Sequence, residues 1–208
     1  MTDPNYTALL LVIDRSGSMT TIRDDMVGGL TELLEDQAAE PGMLTVDVVT
    51  FDTEIVRTHS LTNPLAVKIE VEPRGGTALH DALGIAVSEF GATLAALREH
   101  ARPSTVQVVV VTDGQENSSK EWTADAVRHL IRQQIDTYGW DFVYLGANQD
   151  AVLTARDLGI DADSSMTYTA AKAGVDKMMG STARYLKDVR GGSKKGFTEE
   201  ERGGAVEG

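Results

Sequence analysis

Five consecutive apolar residues, 9–13, end abruptly at the carboxylate of Asp14. The run is far shorter than the roughly 20 apolar residues that a membrane-spanning helix needs. Its aliphatic composition is typical of a strand that is covered on both faces, as in a parallel sheet. Two hydroxyl residues, Ser16 and Ser18, follow the carboxylate with a glycine between them. This stretch therefore predicts a central strand with oxygen-bearing side chains just beyond its carboxyl end.

Short apolar runs alternate with amphipathic helical stretches along the rest of the chain, which is typical of strand–helix units that build a parallel sheet. We predict strands at 8–14, 44–51, 55–61, 106–111, 140–145 and 165–168. Apolar residues at helical spacing predict helices within 22–34, 79–97, 122–131, 149–158 and 175–189. Only three residues, 52–54, separate the second and third strands, which indicates a hairpin and an antiparallel edge strand. The predicted fold class is α/β, a doubly wound, Rossmann-like, mostly parallel six-stranded sheet with one antiparallel edge strand and helices on both faces. Residues 69–72 are expected to be extended.

The chain has 208 residues, enough for one domain with a substantial core. Helical periodicity ends near residue 190, so the domain is expected to cover 1–190, and 191–208 to form a Gly/Lys/Glu-rich tail. Residues 198–201 predict at most one capped helical turn, and we expect the tail to fray or to dock weakly.

Composition restricts the partners and the compartment. The net charge of −13 disfavours nucleic acids and anionic membranes as partners. The absence of cysteine excludes disulfides and thiolate metal sites, and it is compatible with a reducing compartment. Residues 1–6 lack the basic and apolar segments of a secretory signal. These features favour a cytoplasmic protein.

A second apolar run, 106–111, leads through Thr112 to another carboxylate, Asp113. If the strand order is 3-2-1-4-5-6, the first and fourth strands are neighbours, and Asp14 and Asp113 face one crevice at the edge where open parallel sheets bind ligands. Thr77 follows two glycines on a predicted turn and could add a hydroxyl to the same crevice. A simpler interpretation is also open: Thr77 could be a helix cap, and the Asp and Ser residues could be ordinary turn or capping residues.

Taken together, three segments resemble the metal-ion-dependent adhesion site of the von Willebrand factor type A (VWA) domain family: Asp14-Arg15-Ser16-Gly17-Ser18, Gly75-Gly76-Thr77 and Thr112-Asp113-Gly114. The resemblance covers about residues 7–189. It implies hydroxyl ligands to Mg²⁺, with Mn²⁺ or Ca²⁺ as alternatives, and carboxylates that bind directly or through water. The implied metal-binding set is Asp14, Ser16, Ser18, Thr77 and Asp113. The absence of a signal and of cysteines makes the chain most similar to the stand-alone, intracellular VWA proteins of bacteria and their viruses.

Such a ligand set is poor in negative charge and leaves the ion with an open coordination position, which an Asp or Glu of a partner protein can fill. We therefore predict a protein-interaction module that captures an acidic side chain through Mg²⁺. The resemblance makes an AAA+ ATPase system one candidate partner. Two alternatives are a structural subunit of a larger complex or particle and, less favoured, a Mg²⁺-dependent phosphate-processing enzyme. Against catalysis, the four histidines are scattered and no nucleophile elbow, zincin or phosphate-loop motif is present.

Residues beside the predicted ligands are expected to have minor roles. Glu116 and Asn117 follow Asp113 on a predicted loop, where they could orient the site or contact the partner, although solvation is the simplest expectation. His80 follows Thr77 on a helix and is expected to be an exposed helix residue.

Overall fold

A six-stranded sheet forms the centre of the computed structural model, which describes residues 2–147 and 150–207. The strands are β1 (Asp3–Asp14), β2 (Met43–Phe51), β3 (Ile55–Thr62), β4 (Pro103–Thr112), β5 (Asp141–Ala147) and β6 (Ser165–Tyr168). They lie in the order β3-β2-β1-β4-β5-β6. Every pair of neighbours is parallel except β2 and β3. The predicted fold class, strand order and antiparallel edge are confirmed.

Helices cover both faces of this sheet. The α-helices of the described residues are α1 (Arg23–Ala39), α2 (Leu79–Ala96), α3 (Ala124–Tyr138), α4 (Ala151–Asp157), α5 (Lys172–Arg190) and α6 (Glu199–Glu207). Apolar residues of α1, α5 and α6 pack in one core cluster, and those of α2, α3 and α4 pack in the other. The predicted helix at 149–158 corresponds to α4, but Gln149 lies outside the described residues.

Strand β1 has its side chains in both clusters. Leu9 and Ile13 belong to the core cluster on one face, whereas Leu10 and Val12 belong to the cluster on the other. A strand with no solvated face has no reason to alternate apolar with polar residues, which explains the unbroken run. The central position of β1 delivers Asp14 to the carboxyl edge of the sheet.

Some elements differ from their predicted bounds. β1 begins at Asp3 rather than at residue 8, because its polar first residues also pair with β4 across an irregularity in the register. Residues 69–72 form no strand; Ile69 and Val71 are nevertheless buried in the cluster that contains α1. Trp122 precedes α3, which begins at Ala124, so its apolar side chain is part of a loop.

The tail is more ordered than expected. Residues 199–207 form a helix in place of the single turn predicted, and Phe197 and Ala205 are buried in the core. The Phe197 ring stacks on Tyr185 of α5 with a centroid distance of 5.1 Å. Arg184 donates two hydrogen bonds to the Glu201 carboxylate. Among the described residues, no helix is long and apolar enough to cross a membrane.

Candidate metal centre

Three loops meet at the carboxyl edge of the sheet. The first loop (residues 15–22) follows β1, the second loop (73–78) precedes α2, and the third loop (113–123) follows β4. Neighbouring positions of β1 and β4 bring the first and third loops side by side. Each predicted metal-binding residue lies on one of these loops or, for Asp14, at the last position of β1.

Backbone hydrogen bonds join the first loop to the second. The Gly17 N–H donates to the Gly75 carbonyl over 3.3 Å, and the Arg74 N–H donates to the Arg15 carbonyl over 2.9 Å. Gly75 has φ of +65°, a left-handed conformation that is strained for most other residues. These contacts hold the chain before Thr77 against the chain that carries the two serines.

Asn117 joins the second loop to the third. Its side-chain oxygen accepts the Thr77 N–H at 2.9 Å, and its own N–H donates to the Thr77 carbonyl at 3.0 Å. A side chain at Gly76 would lie 2.8 Å from the same Asn117 oxygen, so the two loops are closely packed. Asn117 is exposed, as expected, and it also holds the two loops together, which agrees with the alternative that it orients the site.

The hydroxyls and carboxylates form a connected chain of polar contacts. Ser16 Oγ lies 3.0 Å from Ser18 Oγ, and the Ser18 hydroxyl donates to Asp113 Oδ1 over 2.7 Å. Asp14 Oδ1 accepts the Ser16 N–H at 2.6 Å, and Asp14 Oδ2 accepts the Thr112 hydroxyl at 2.6 Å. Residues separated by almost one hundred positions in the chain thus share one small polar volume.

Thr77 completes this group. A β-carbon built at Gly114 would lie 2.5 Å from Thr77 Oγ1, so the hydroxyl packs directly against the residue that follows Asp113. Thr77 is 2% exposed. The N-cap position of α2 belongs to Ala78, so Thr77 is not the plain helix cap that its sequence context also allowed. The structure thus joins Ser16, Ser18 and Asp113 through side-chain contacts, with Asp14 bound to the Ser16 N–H, and places Thr77 beside the residue that follows Asp113.

Both carboxylates are held where ionisation is costly. Burial raises the pKa of Asp14; hydrogen bonds from Thr112 and Ser16 act in the opposite direction, and the charge of Asp113 adds to the increase. Burial likewise raises the pKa of Asp113, against the hydrogen bond from Ser18. A cation in the shared volume would supply the positive charge that these carboxylates lack.

The donor set suits a hard cation. Across residues 2–147 and 150–207, no three His, Cys, Asp or Glu side chains come together as a conventional metal cluster. An ion here would depend on hydroxyl oxygens together with Asp14 and Asp113, and magnesium and calcium prefer oxygen ligands. Mg²⁺ takes six ligands in octahedral geometry, so five side chains leave room for a ligand from outside. The residues present therefore fit a divalent cation of this class.

Two further carboxylates, neither of them in the predicted metal-binding set, hold the loops of the site in place. Asp81 of α2 is 6% exposed, and its oxygens accept the backbone N–H groups of Lys120, Glu121 and Trp122 at 2.7–2.9 Å. Burial raises the pKa of Asp81, but these three donors outweigh burial and the pKa lies below its ordinary value. The position of Asp81 one helical turn after Thr77 was the only local signal, because its donors lie about 40 residues further along the chain.

Glu116 is the second carboxylate. It accepts the backbone N–H of His80 at the start of α2 and those of Ser118 and Ser119 in its own loop. Glu116 is therefore not simply solvated; its contacts agree with the alternative that it orients the site, and His80 is only one-fifth exposed rather than freely solvated. Together, Asp81 and Glu116 hold the third loop on the N-terminus of α2.

No protein-family model matches the sequence, and no curated protein matches it either. Solved structures match the fold. Proximal thread matrix protein 1 from the mussel byssus, in a structure described as having a zinc-occupied MIDAS motif, aligns with a TM-score of 0.67 at 18% identity, over 89% of this chain and 47% of that one. The vWF domain of the type V pili tip protein Mfa5 from Porphyromonas gingivalis aligns with a TM-score of 0.65 at 12% identity, over 93% and 98% of the two chains.

The chain has the fold of a VWA domain. It spans about half the length of the thread matrix protein and nearly the whole Mfa5 domain. A VWA protein from Catenulispora acidiphila aligns at 17% identity with a TM-score of 0.57, over 88% of this chain and 43% of that one. Identities this low establish the VWA fold alone. The stand-alone, intracellular type remains a prediction.

Proposed function

We propose that this VWA fold is a protein-interaction module in which a divalent cation, Mg²⁺ first, captures a carboxylate of a partner. Asp14, Ser16, Ser18, Thr77 and Asp113 would hold the ion, and the partner's Asp or Glu would fill the open coordination position. The bound ion would supply the positive charge that attracts the partner's carboxylate.

The observation that carries this proposal is the contact of Ser18 with Asp113. The first and third loops come from different strands, yet the Ser18 hydroxyl lies 2.7 Å from Asp113 Oδ1 and the Ser16 hydroxyl follows 3.0 Å further on. The net charge of −13 makes an acidic partner repel the chain at long range. Affinity for such a partner should therefore depend steeply on the ion.

Titration with Mg²⁺ by isothermal calorimetry tests the metal site. We expect one Mg²⁺ per chain, and we expect Asp113→Ala and Ser18→Ala to abolish measurable binding because each removes an oxygen of the shared volume. Ser104→Ala is the matched control, since Ser104 is an exposed hydroxyl residue near the start of the same strand, β4. Wild-type Mg²⁺ binding by Asp113→Ala would contradict the proposal.

Partner capture is tested separately. Protein retained on the immobilised chain in Mg²⁺ should be released by EDTA, and replacing one acidic residue of the purified partner by its amide should abolish binding. Equal affinity of that partner in Mg²⁺ and in EDTA would contradict carboxylate capture even if the ion binds. An AAA+ ATPase, a cytoplasmic location and the lack of enzymatic activity remain predictions from the sequence.

The second candidate function is that of a structural subunit of a larger assembly, in which the ion only stabilises the fold. The descriptions of the matched structures give a reason to test it. Their descriptions name a thread matrix protein, a pilus tip protein and a minor pilin. If the ion only stabilised the fold, EDTA should lower the melting temperature of the wild type strongly, and Asp113→Ala should lower it equally. If the ion bridges to a partner, Asp113→Ala should keep the wild-type melting temperature and should no longer bind the partner.

A further inference from the structure

We propose that Asp52, which is not in the predicted metal-binding set, is a positioning residue of the metal centre. Its carboxylate joins Arg15 of the first loop to Arg74 of the second, and so keeps Ser16 and Thr77 directed at one point. The inference rests on the proposed function, because it concerns how the same metal site is held in shape.

The Asp52 carboxylate is buried and fully engaged. Asp52 follows the last residue of β2 and is 1% exposed. Its Oδ2 accepts the Arg74 Nε–H at 2.8 Å. The same oxygen lies 2.9 Å from the Arg15 Nε, and this contact is an ion pair whose geometry does not align as a hydrogen bond. Its Oδ1 accepts the Glu54 N–H at 2.7 Å. Two cations from two different loops thus meet on one carboxylate.

The backbone around this ion pair leads straight to the metal-binding residues. Arg15 stands between Asp14 and Ser16, and its N–H donates to the Phe51 carbonyl over 2.7 Å. The Asp52 carbonyl accepts the N–H of Ala78, the residue after Thr77, at 2.9 Å. Asp52 therefore restrains residues adjacent to metal-binding positions in both loops, through its side chain and through its main chain.

The same strand offers a matched control. Asp47 of β2 is fully buried and pairs with Arg57 of β3, whose Nε lies 3.0 Å from Asp47 Oδ2. Asp47 Oδ1 also accepts the Leu61 N–H at 2.7 Å. Asp47 lies five residues before Asp52, about 16 Å along an extended strand, so it is remote from the three loops. Both carboxylates contribute to stability, but only Asp52 contacts the loops that carry the metal-binding residues.

The experiment compares Asp52→Asn with Asp47→Asn, using Mn²⁺ as a spectroscopic probe. Binding is followed by electron paramagnetic resonance well below the melting temperature of each variant. We expect Asp52→Asn to bind Mn²⁺ about tenfold more weakly than the wild type, as for residues that orient metal ligands elsewhere. We expect Asp47→Asn to keep wild-type affinity even though its melting temperature also falls.

If Asp52→Asn does not fold, a second pair of variants that perturbs the fold less tests the same inference. Arg74 is about half exposed, so Arg74→Gln should fold, lose one arm of the ion pair and bind Mn²⁺ more weakly. Arg57→Gln is its control and should bind as the wild type does.

Two outcomes would overturn the inference. One is unchanged Mn²⁺ affinity in Asp52→Asn, or in Arg74→Gln if the first variant is unfolded. The other is an equal loss in the Asp47 or Arg57 control. Failure of the wild type to bind Mn²⁺, or unaltered binding by Asp113→Ala, would instead overturn the proposed function, so the two failures are distinguishable.

Discussion

Gly114 occupies a closely packed position of the candidate metal centre. It separates Asp113 from the rest of the third loop, and Thr77 Oγ1 lies only 2.5 Å from where a β-carbon would stand. The site thus depends on a missing side chain as well as on its oxygen donors. Sequence alone predicted Gly114 only as part of a segment, because its neighbour Thr77 lies 37 positions away in the chain.

We predict that Gly114→Ala weakens Mg²⁺ binding about tenfold. The added methyl would lie 2.5 Å from Thr77 Oγ1, so either that hydroxyl or the loop carrying Asp113 must move. Calorimetric titration with Mg²⁺ measures the loss. Gly28→Ala is the control, because a β-carbon at Gly28 in α1 meets nothing within 4 Å, and it should bind normally. Equal affinities in all three proteins would show that Thr77 does not hold the ion.

At the scale of elements, the N-terminus of α2 organises the third loop. Glu116 accepts a backbone N–H of α2, and Asp81 accepts three from the loop. Trp122 packs on Gly84, where a β-carbon would lie 2.0 Å from its ring. Asp113 is therefore carried by a loop that is attached at several points to the helix following Thr77.

We predict that Asp81→Asn destabilises the chain by about 2 kcal/mol at neutral pH, because a charged acceptor of three backbone N–H groups is lost. The pKa of Asp81 is lower in the folded than in the unfolded chain, so its contribution is present above pH 3.8, its ordinary value. The contribution disappears as the pH falls from there through the lower folded pKa.

Urea unfolding between pH 7 and pH 2.5 checks this prediction. The difference between wild type and Asp81→Asn should be constant down to about pH 4 and should then shrink. Glu121→Gln alters an exposed carboxylate of the same loop and should follow the wild type throughout. A difference that grows in acid would contradict the sign of the pKa shift.

For the molecule as a whole, the tail belongs to the packed structure. Its helix α6 lies against α5 and β6, and the Ala205 carbonyl accepts the Thr169 N–H at 2.9 Å. Arg202 donates to the carbonyls of Ala162 and Ser165. The tail therefore covers one end of the core beside the edge strand β6.

We predict that Phe197→Ala lowers the free energy of unfolding by about 3 kcal/mol, since it leaves a cavity against Tyr185. Val206→Ala is the matched control in the same segment, because Val206 is half exposed, and it should cost little. Denaturant unfolding of both variants measures the difference. Similar stability of the two variants would mean that the tail docks only weakly, as the sequence suggested.

The predicted domain boundary at residue 190 is testable with a 1–190 fragment. Removing the tail exposes the surface that Phe197 and Ala205 cover, so we expect a melting temperature clearly below that of the full chain. Calorimetric melting of both proteins gives the comparison. Identical melting temperatures would support the boundary as predicted.

The features that the sequence predicts correctly are those that depend on consecutive residues of the chain. β1 contains the aliphatic run 9–13 before Asp14, and β4 contains the mostly aliphatic run 106–111, two residues before Asp113; such runs are typical of a sheet covered on both faces. Arg74 lies 22 positions from Asp52, and the backbone donors to Asp81 lie 39 to 41 positions from it, so the roles of both carboxylates depend on tertiary contacts. Helix α6 contains Gly203 and Gly204, which local propensity disfavours, and packing on α5 overrides that preference.

The two tryptophans lie at opposite ends of the sheet. Trp122 is on the third loop against α2, whereas Trp140 precedes β5 at the amino edge, between Phe90 and Phe142. Replacing Trp140 by phenylalanine would leave a single indole, Trp122, on the same loop as Asp113. The fluorescence of that variant gives an intrinsic optical signal for loop displacement on addition of cations, without any attached dye.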